Sequence, residues 1–291
     1  TDRPWPGSPP APWAPYVAID LEGGRVNRLA GLTGPLPAPA RAAEAGPDAL
    51  RALGEALGCA CAHFRIGVDY APVVDVGRGG YVGGEGRCLG DTPEAVIAAA
   101  EHVLAGIESF GVAACLKHYP GLGSGQVDSH RELPELDDGA AADEEVFLRL
   151  ASPTRAVMVA HAMVPSLGEA CCPASLSRGV VGRLDGYPVG PVIADDLEMG
   201  ALGRFGSMAA RAAAALAAGC DQVLVCNALA ARGEVVGTVQ AWAAGDVALA
   251  AALRPAGSRL GGYGTGPLPV VGWDEVEARA VRARELAGLA P

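Results

Sequence analysis

The stretch Lys117-His118-Tyr119-Pro120-Gly121-Leu122-Gly123-Ser124-Gly125-Gln126-Val127-Asp128-Ser129-His130 decides how this chain is read. The apolar run Gly111 to Leu116 ends abruptly in a lysine and a histidine. A glycine-rich loop then delivers an aspartate and a second histidine. Strands buried on both faces read as continuous apolar runs, so charge at the end of one calls for an explanation. In α/β proteins the C-terminal ends of parallel strands are where ligands bind. The same grammar recurs in Val17-Ala18-Ile19-Asp20-Leu21-Glu22-Gly23-Gly24-Arg25, in Ala156-Val157-Met158-Val159-Ala160-His161 and in Pro191-Val192-Ile193-Ala194-Asp195-Asp196-Leu197-Glu198-Met199.

Working outward, six segments read as strands: Tyr16–Asp20, Arg65–Val76, Val112–His118, Ala156–His161, Pro188–Asp195 and Gln222–Cys226. Thr92 and Pro93 read as an N-cap and first-turn proline opening a helix to about Phe110. Ser207 caps an alanine-rich helix that runs to Ala218 and stops at Gly219. Asp138–Leu150 and Asp274–Leu289 are further helical stretches, and Gly261–Pro267 is loop. Strands recur roughly every 30 to 50 residues, the spacing of β/α units in a barrel or a doubly wound sheet. Six units are recognisable, whereas a closed barrel needs eight. Residues 1–15 hold six prolines and form an irregular arm, leaving 16–291 as a single (β/α) domain. The strand at Tyr16–Asp20 would be an open edge. The arm or a second copy of the chain would have to cover it, and the C-terminal helix has the length to cover another part of the barrel.

The chain has 291 residues, 50% of them hydrophobic, enough for one substantial core. A net charge of -11 disfavours nucleic acid or an anionic membrane as partner through a basic surface. No run approaches the ~20 apolar residues of a membrane span, and Thr1–Pro6 lacks the regions of a signal peptide. The eight cysteines form no C-x-x-C pair, and Cys115, Cys220 and Cys226 lie in or beside apolar runs. This usage points to a reducing compartment, the cytoplasm.

If the strands are parallel, Asp20, Arg28, Asp75, Arg87, Lys117, His118, His161 and Asp195 surround one cleft. Each alone could be a helix cap or a solvent contact; their recurrence at successive strand ends favours a site. Of the adjacent Asp195 and Asp196, one should face the cleft and the other cap the following turn. An aspartate backed by an apolar strand can attack a sugar's anomeric carbon. It could also hold magnesium, but an oxygen cage needs more carboxylates. Asp128-Ser129-His130 sets a carboxylate beside an imidazole, an arrangement that suits general acid/base work, although an Asx-type turn is the plainer reading. A zinc site from His118, His130 and His161 lacks the spacing of an H-E-x-x-H motif.

Together these segments resemble a family. Asp20-Leu21-Glu22-Gly23-Gly24-Arg25-Val26-Asn27-Arg28 is similar to the D-x-E-G-G-R-V-x-R segment of family 3 glycoside hydrolases, in particular the β-N-acetylhexosaminidases. Lys117-His118-Tyr119-Pro120-Gly121, followed by Asp128-Ser129-His130, resembles that family's K-H-F-P-G-H-G loop ending in D-S-H. Ala160-His161, Pro173-Ala174-Ser175-Leu176-Ser177, Asp195-Asp196-Leu197-Glu198-Met199 and Ala218–Asn227 match further segments in the right order, so the likeness runs from about residue 16 to 227.

The resemblance implies a TIM-type (β/α) barrel, incomplete or irregular at its N-terminal side. It also implies a retaining exo-β-N-acetylglucosaminidase with no metal or organic cofactor. Asp195 would be the nucleophile and His130, paired with Asp128, the acid/base. Asp20, Arg28, Arg87, Lys117, His118 and His161 would bind the sugar. The implied substrate is a small carbohydrate, an N-acetylglucosaminide such as a peptidoglycan fragment. Three features depart from the family pattern. Leu122 replaces a histidine in the loop, Cys88 stands where serine is common, and two strands expected before Asp20 are missing. Alternatives are a family 3 enzyme of other sugar specificity, a phosphorylase, since an imidazole repels phosphate less than a carboxylate does, or a catalytically silent sugar-binding barrel.

Overall fold

The computed structural model describes residues 16–167, 170–245 and 259–290. Its strands, in chain order, are β1 (Ala18–Ile19), β2 (Leu21–Gly23), β3 (Val26–Asn27), β4 (Val68–Asp69), β5 (Ala113–Tyr119), β6 (Arg155–Val159), β7 (Val192–Asp196) and β8 (Gln222–Leu224). Six of them form one parallel sheet in the order β1-β4-β5-β6-β7-β8, and β2 and β3 pair as a separate antiparallel hairpin. All six sequence-read strands are present, and helices cross between successive ones, so the C-terminal ends share one rim. Arg65–Val76 is the one badly overlong reading, because the ladder is regular only at Val68–Asp69. Pro72 has no N–H to donate, and the chain runs on beside β5 through isolated bonds such as Val74 N–H to the Lys117 carbonyl, 2.8 Å.

The helix signals hold where capping chemistry drives them. Thr92 accepts from Ala95 N–H at the start of Pro93–Glu108. Ser207 accepts from Ala210 N–H at the start of Met208–Ala218, and left-handed Gly219 ends that helix. Two helices had no clear pattern. Pro47–His63 buries twelve of its seventeen residues, so its apolar face is broad and only a narrow side, with Asp48, Arg51 and Glu55, stays polar. Arg232–Gly245 buries only Val235 and Val239 and so carries too weak a stripe.

The sheet curls until its two edges nearly meet. Tyr16, just before β1, donates its hydroxyl to the Gln222 side chain on β8. Val68, Tyr70, Cys115, Ala156, Met158, Ile193 and Tyr263 fill the interior. Tyr263 enters from the glycine-rich loop, sets its ring edge-on to Tyr16 at 5.6 Å, and donates to the Ala114 carbonyl at 2.9 Å. Gly264 makes this approach possible, since a Cβ there would lie 2.3 Å from Val68 Cγ2. Within the described residues, then, a C-terminal loop lies at the β1 edge where the arm or a second copy was expected. The arm, residues 1–15, lies outside the described residues. The helix Trp273–Leu286 adds an outer cover over Pro47–His63. It is fixed there by an Arg279–Glu55 ion pair, by His63 Nδ1 at 2.9 Å from the Val271 carbonyl, and by Arg41 Nε donating to the Ala287 carbonyl at 2.9 Å.

Candidate active site

A cleft of about 400 Å³ opens at the C-terminal rim, within the range of small-ligand sites. Asp20, Arg28, Arg87, Lys117, His118, Asp128, His130 and Asp195 all line it. Lys117 lies two residues before the end of β5, 2% exposed, with Nζ 2.7 Å from Asp20 Oδ1 and 2.6 Å from Glu22 Oε1. Burial alone would depress its pKa, but Asp20 and Glu22 outweigh burial and raise it. Glu22 also receives Arg87 through two bonds of 2.8 Å. Burial opposes ionisation of Glu22, yet Lys117 and Arg87 hold its pKa down at about 2. Glu22 is thus a buried carboxylate clamping two cations. It sits inside the Asp20–Arg28 motif, but only the fold shows that Lys117 and Arg87 converge on it.

His118 is held by Asp75, whose Oδ2 lies 2.7 Å from His118 Nδ1 and whose Oδ1 accepts from the backbone N–H of His118 at 3.0 Å. Asp75 is fully buried and does not line the cleft; it orients the imidazole that does. The same Oδ1 accepts from Leu122 N–H at 2.7 Å. The turn is therefore anchored through its backbone, and Leu122 itself is buried. Arg28 is exposed on the rim and makes no ion pair or hydrogen bond among the described residues.

The loop from Pro120 to Gly139 carries Asp128 and His130. Its glycines serve close packing more than freedom of movement: a Cβ on Gly123 would sit 1.7 Å from the Val76 carbonyl oxygen. Backbone bonds tie the loop on several sides, from Gly80 and Tyr81 N–H to the Gly123 and Gly125 carbonyls and from Gly200 N–H to the His130 carbonyl. Asp128 Oδ1 accepts from the His130 backbone N–H at 3.0 Å and from ring Nδ1 at 2.9 Å. Burial pushes the Asp128 carboxyl up, but the bonds from His130, with one from Tyr81, bring its pKa below the ordinary value. With Nδ1–H committed to a carboxylate, Nε2 is the nitrogen left to exchange protons.

Asp195 is the penultimate residue of β7, half-buried, and its Oδ1 accepts from Asp196 N–H at 2.8 Å. Burial would raise its pKa; His161, His118 and Lys117 nearby bring it down overall. Asp196 takes the capping part, accepting from Glu198 N–H at 3.2 Å, and its burial raises its pKa. Glu198 accepts from Asn227 N–H at 2.5 Å and Ala228 N–H at 2.9 Å, holding the segment after β8 that adds Cys226 and Asn227 to the cleft. His161 is the one expected sugar ligand that does not line the cleft. It is 1% exposed behind Asp195–Asp196, with Nδ1 2.7 Å from Ser175 Oγ and Nε2 3.0 Å from the Asp196 carbonyl. Among the described residues, no group of three or more His, Cys, Asp or Glu side chains could hold a metal ion, and no helix is long and apolar enough to cross a membrane.

Fold and cleft together define an open parallel (β/α) barrel with a charged small-ligand site on the C-terminal rim. The chain belongs to glycosyl hydrolase family 3: residues 10–252 match the family's N terminal domain. A beta-hexosaminidase from Alkalilimnicola ehrlichii is 40% identical over 232 residues, covering 72% of this chain and 64% of that protein. The chain thus spans somewhat under two thirds of that relative's length. A glycosyl hydrolase of the same family from Mycobacterium smegmatis superposes with a TM-score of 0.76 at 32% identity, covering 89% of this chain and 82% of that one. NagZ from Neisseria gonorrhoeae, solved in complex with N-trifluoroacetyl-D-glucosamine, superposes with a TM-score of 0.69 at 28% identity, covering 94% and 82%.

Proposed function

We propose that this chain is the catalytic barrel of a retaining exo-β-N-acetylglucosaminidase. The observation that carries the reading is the meeting, in one cleft, of a part-exposed strand-end carboxylate, Asp195, with an imidazole–carboxylate pair, His130–Asp128. In the first step an Asp195 oxygen bonds to the anomeric carbon as the glycosidic C–O bond breaks, and His130 Nε2 gives its proton to the departing oxygen. In the second, His130 takes a proton from water, and that water's oxygen displaces Asp195 from the anomeric carbon with inversion. Two inversions give net retention. Asp128 stays ionised and stabilises the imidazolium that donates in the first step and is regenerated in the second. Lys117, Asp20, Arg87, His118 and Arg28 offer fixed donors and acceptors for the sugar hydroxyls.

The bound N-trifluoroacetyl-D-glucosamine in the Neisseria gonorrhoeae structure supports an N-acetylglucosamine-type sugar, and the beta-hexosaminidase name of the Alkalilimnicola ehrlichii relative supports hydrolysis. The natural substrate in this reading is a small glycoconjugate, such as a peptidoglycan fragment, met in the cytoplasm. The buried thiols Cys59, Cys61, Cys88, Cys115 and Cys220 suit that reducing compartment. The test is release of a chromogenic aglycone from β-N-acetylglucosaminide against β-glucoside, with and without phosphate. Preference for the N-acetyl sugar with no phosphate requirement is expected; preference for glucoside, or dependence on phosphate, sinks the assignment.

A further inference from the structure

Ser175 lies in the Pro173–Ser177 segment, far in sequence from the catalytic motifs, and is fully buried. Its hydroxyl is 2.7 Å from His161 Nδ1, and its backbone N–H donates to the Ala160 carbonyl at 3.2 Å, which fixes it to the strand end that carries His161. His161 Nε2 faces the Asp196 carbonyl at 3.0 Å. A carbonyl only accepts, so Nε2 bears the proton, and Nδ1 accepts from Ser175. Burial favours this neutral ring, holding the His161 pKa below its usual value. The Asp196 carbonyl also accepts Met199 N–H at 3.0 Å in the turn that follows, but the sheet ladder supplies no donor in place of His161. The β6–β7 pairing ends at Val159 and Ala194, and the β7–β8 register shifts between Ala194 and Asp196. Such irregularities re-aim local groups. Here the Asp196 carbonyl turns to the imidazole, while its N–H holds Asp195 Oδ1.

We propose that Ser175 and His161 are positioning residues for Asp195. They fix the backbone of Asp196 at its carbonyl so that its N–H presents the Asp195 carboxylate to the anomeric carbon. The hydrogen-bond chain runs Ser175 hydroxyl to His161 Nδ1, His161 Nε2–H to the Asp196 carbonyl, and Asp196 N–H to Asp195. His161 touches no sugar in this arrangement. The proposal rests on the reading of Asp195 as nucleophile.

The experiment compares wild type, Ser175→Ala, His161→Ala and His161→Gln. It measures kcat and KM on an aryl β-N-acetylglucosaminide, the rate at which a fluorinated N-acetylglucosaminyl inactivator labels Asp195, and Tm. Ser175→Ala and His161→Ala are expected to lower both kcat and the labelling rate by about 10-fold or more, with KM changed less than about two-fold. His161→Gln, whose amide N–H can replace Nε2–H toward the Asp196 carbonyl, is expected to recover most of the loss. Ser175→Ala deletes a single oxygen and keeps the test open if His161→Ala does not fold. Wild-type labelling rates in Ser175→Ala, a loss expressed in KM, or no recovery in a folded His161→Gln overturns the positioning role alone. Labelling of another carboxylate in the wild type overturns the nucleophile reading and the proposal with it.

Discussion

The two walls of the cleft solve opposite problems. On one side, Lys117 and Glu22 have side chains only 2% and 1% exposed, locked with Arg87 and Asp20 into a charge network. On the other, His130 is 70% exposed and meets Asp128 within one short loop. A buried charge is tolerated only when paired and hydrogen-bonded, so the first wall is a fixed template in which Glu22 and Lys117 both keep their charges near neutral pH. In the proposed reading His130 carries a proton, which must reach solvent and substrate, and the second wall leaves its imidazole in the open with Asp128 as its one side-chain partner. The comparison predicts that mutations in the buried wall cost stability, while mutations at the exposed pair cost chemistry.

The largest effect is expected at Asp195, between the two walls. Asp195→Ala should lower turnover by about 10⁴-fold or more, with Tm little changed because the carboxylate is only half-buried. Residual activity near wild type would mean that the nucleophile is elsewhere. For the exposed pair, His130→Ala should slow substrates with poor leaving groups by about 10² to 10⁴-fold and activated aryl glycosides far less, since only the former need a proton on departure. Its unfolding free energy should stay within about 0.5 kcal/mol of wild type. Equal losses on both substrate types would remove the acid role.

The buried wall is tested at Glu22. Glu22→Ala leaves Arg87 without its carboxylate and Lys117 with Asp20 alone, and should cost about 3–5 kcal/mol in urea unfolding. The same carboxylate gives a pH signature. Its folded pKa, about 2, is depressed from 4.5. Its contribution, on the order of 3 kcal/mol, is therefore complete above pH 4.5 and is lost as pH falls toward 2. The stability gap between wild type and Glu22→Gln should narrow over that window; a gap independent of pH would contradict the clamp.

The exposed wall was the legible one, and the reason is distance along the chain. Asp128 and His130 are two residues apart, so their pairing follows from local geometry. Strand ends were legible because apolar runs stop in charge, and two helices because Thr92 and Ser207 cap them. The Glu22 clamp spans 65 residues to Arg87, and the companion Lys117–Asp20 bond spans 97; no spacing rule reaches that far. His161 shows the complementary limit: a histidine at a strand end reads as a ligand, but its place behind Asp195–Asp196 follows from bonds to Ser175 and to the Asp196 carbonyl, 14 and 35 residues away, that no local pattern shows.

The smallest expected effect sharpens the comparison most, because it separates burial from charge. Arg25 and Glu85 also form an ion pair at the cleft, and both residues line it, but Arg25 is 62% exposed and Glu85 24%. Water already solvates much of this pair, so removing one partner strands no buried charge. Exposed pairs are worth about 0.2–1 kcal/mol, several-fold below the cost expected at Glu22. Arg25→Ala should therefore lower unfolding free energy by no more than about 1 kcal/mol, and added salt should shrink the difference further, since exposed pairs are screened. The Glu22→Ala deficit should persist in the same salt. If Arg25→Ala cost as much as Glu22→Ala, or if salt erased both deficits alike, burial would not be what distinguishes the two walls, and the fixed template would reduce to ordinary surface electrostatics.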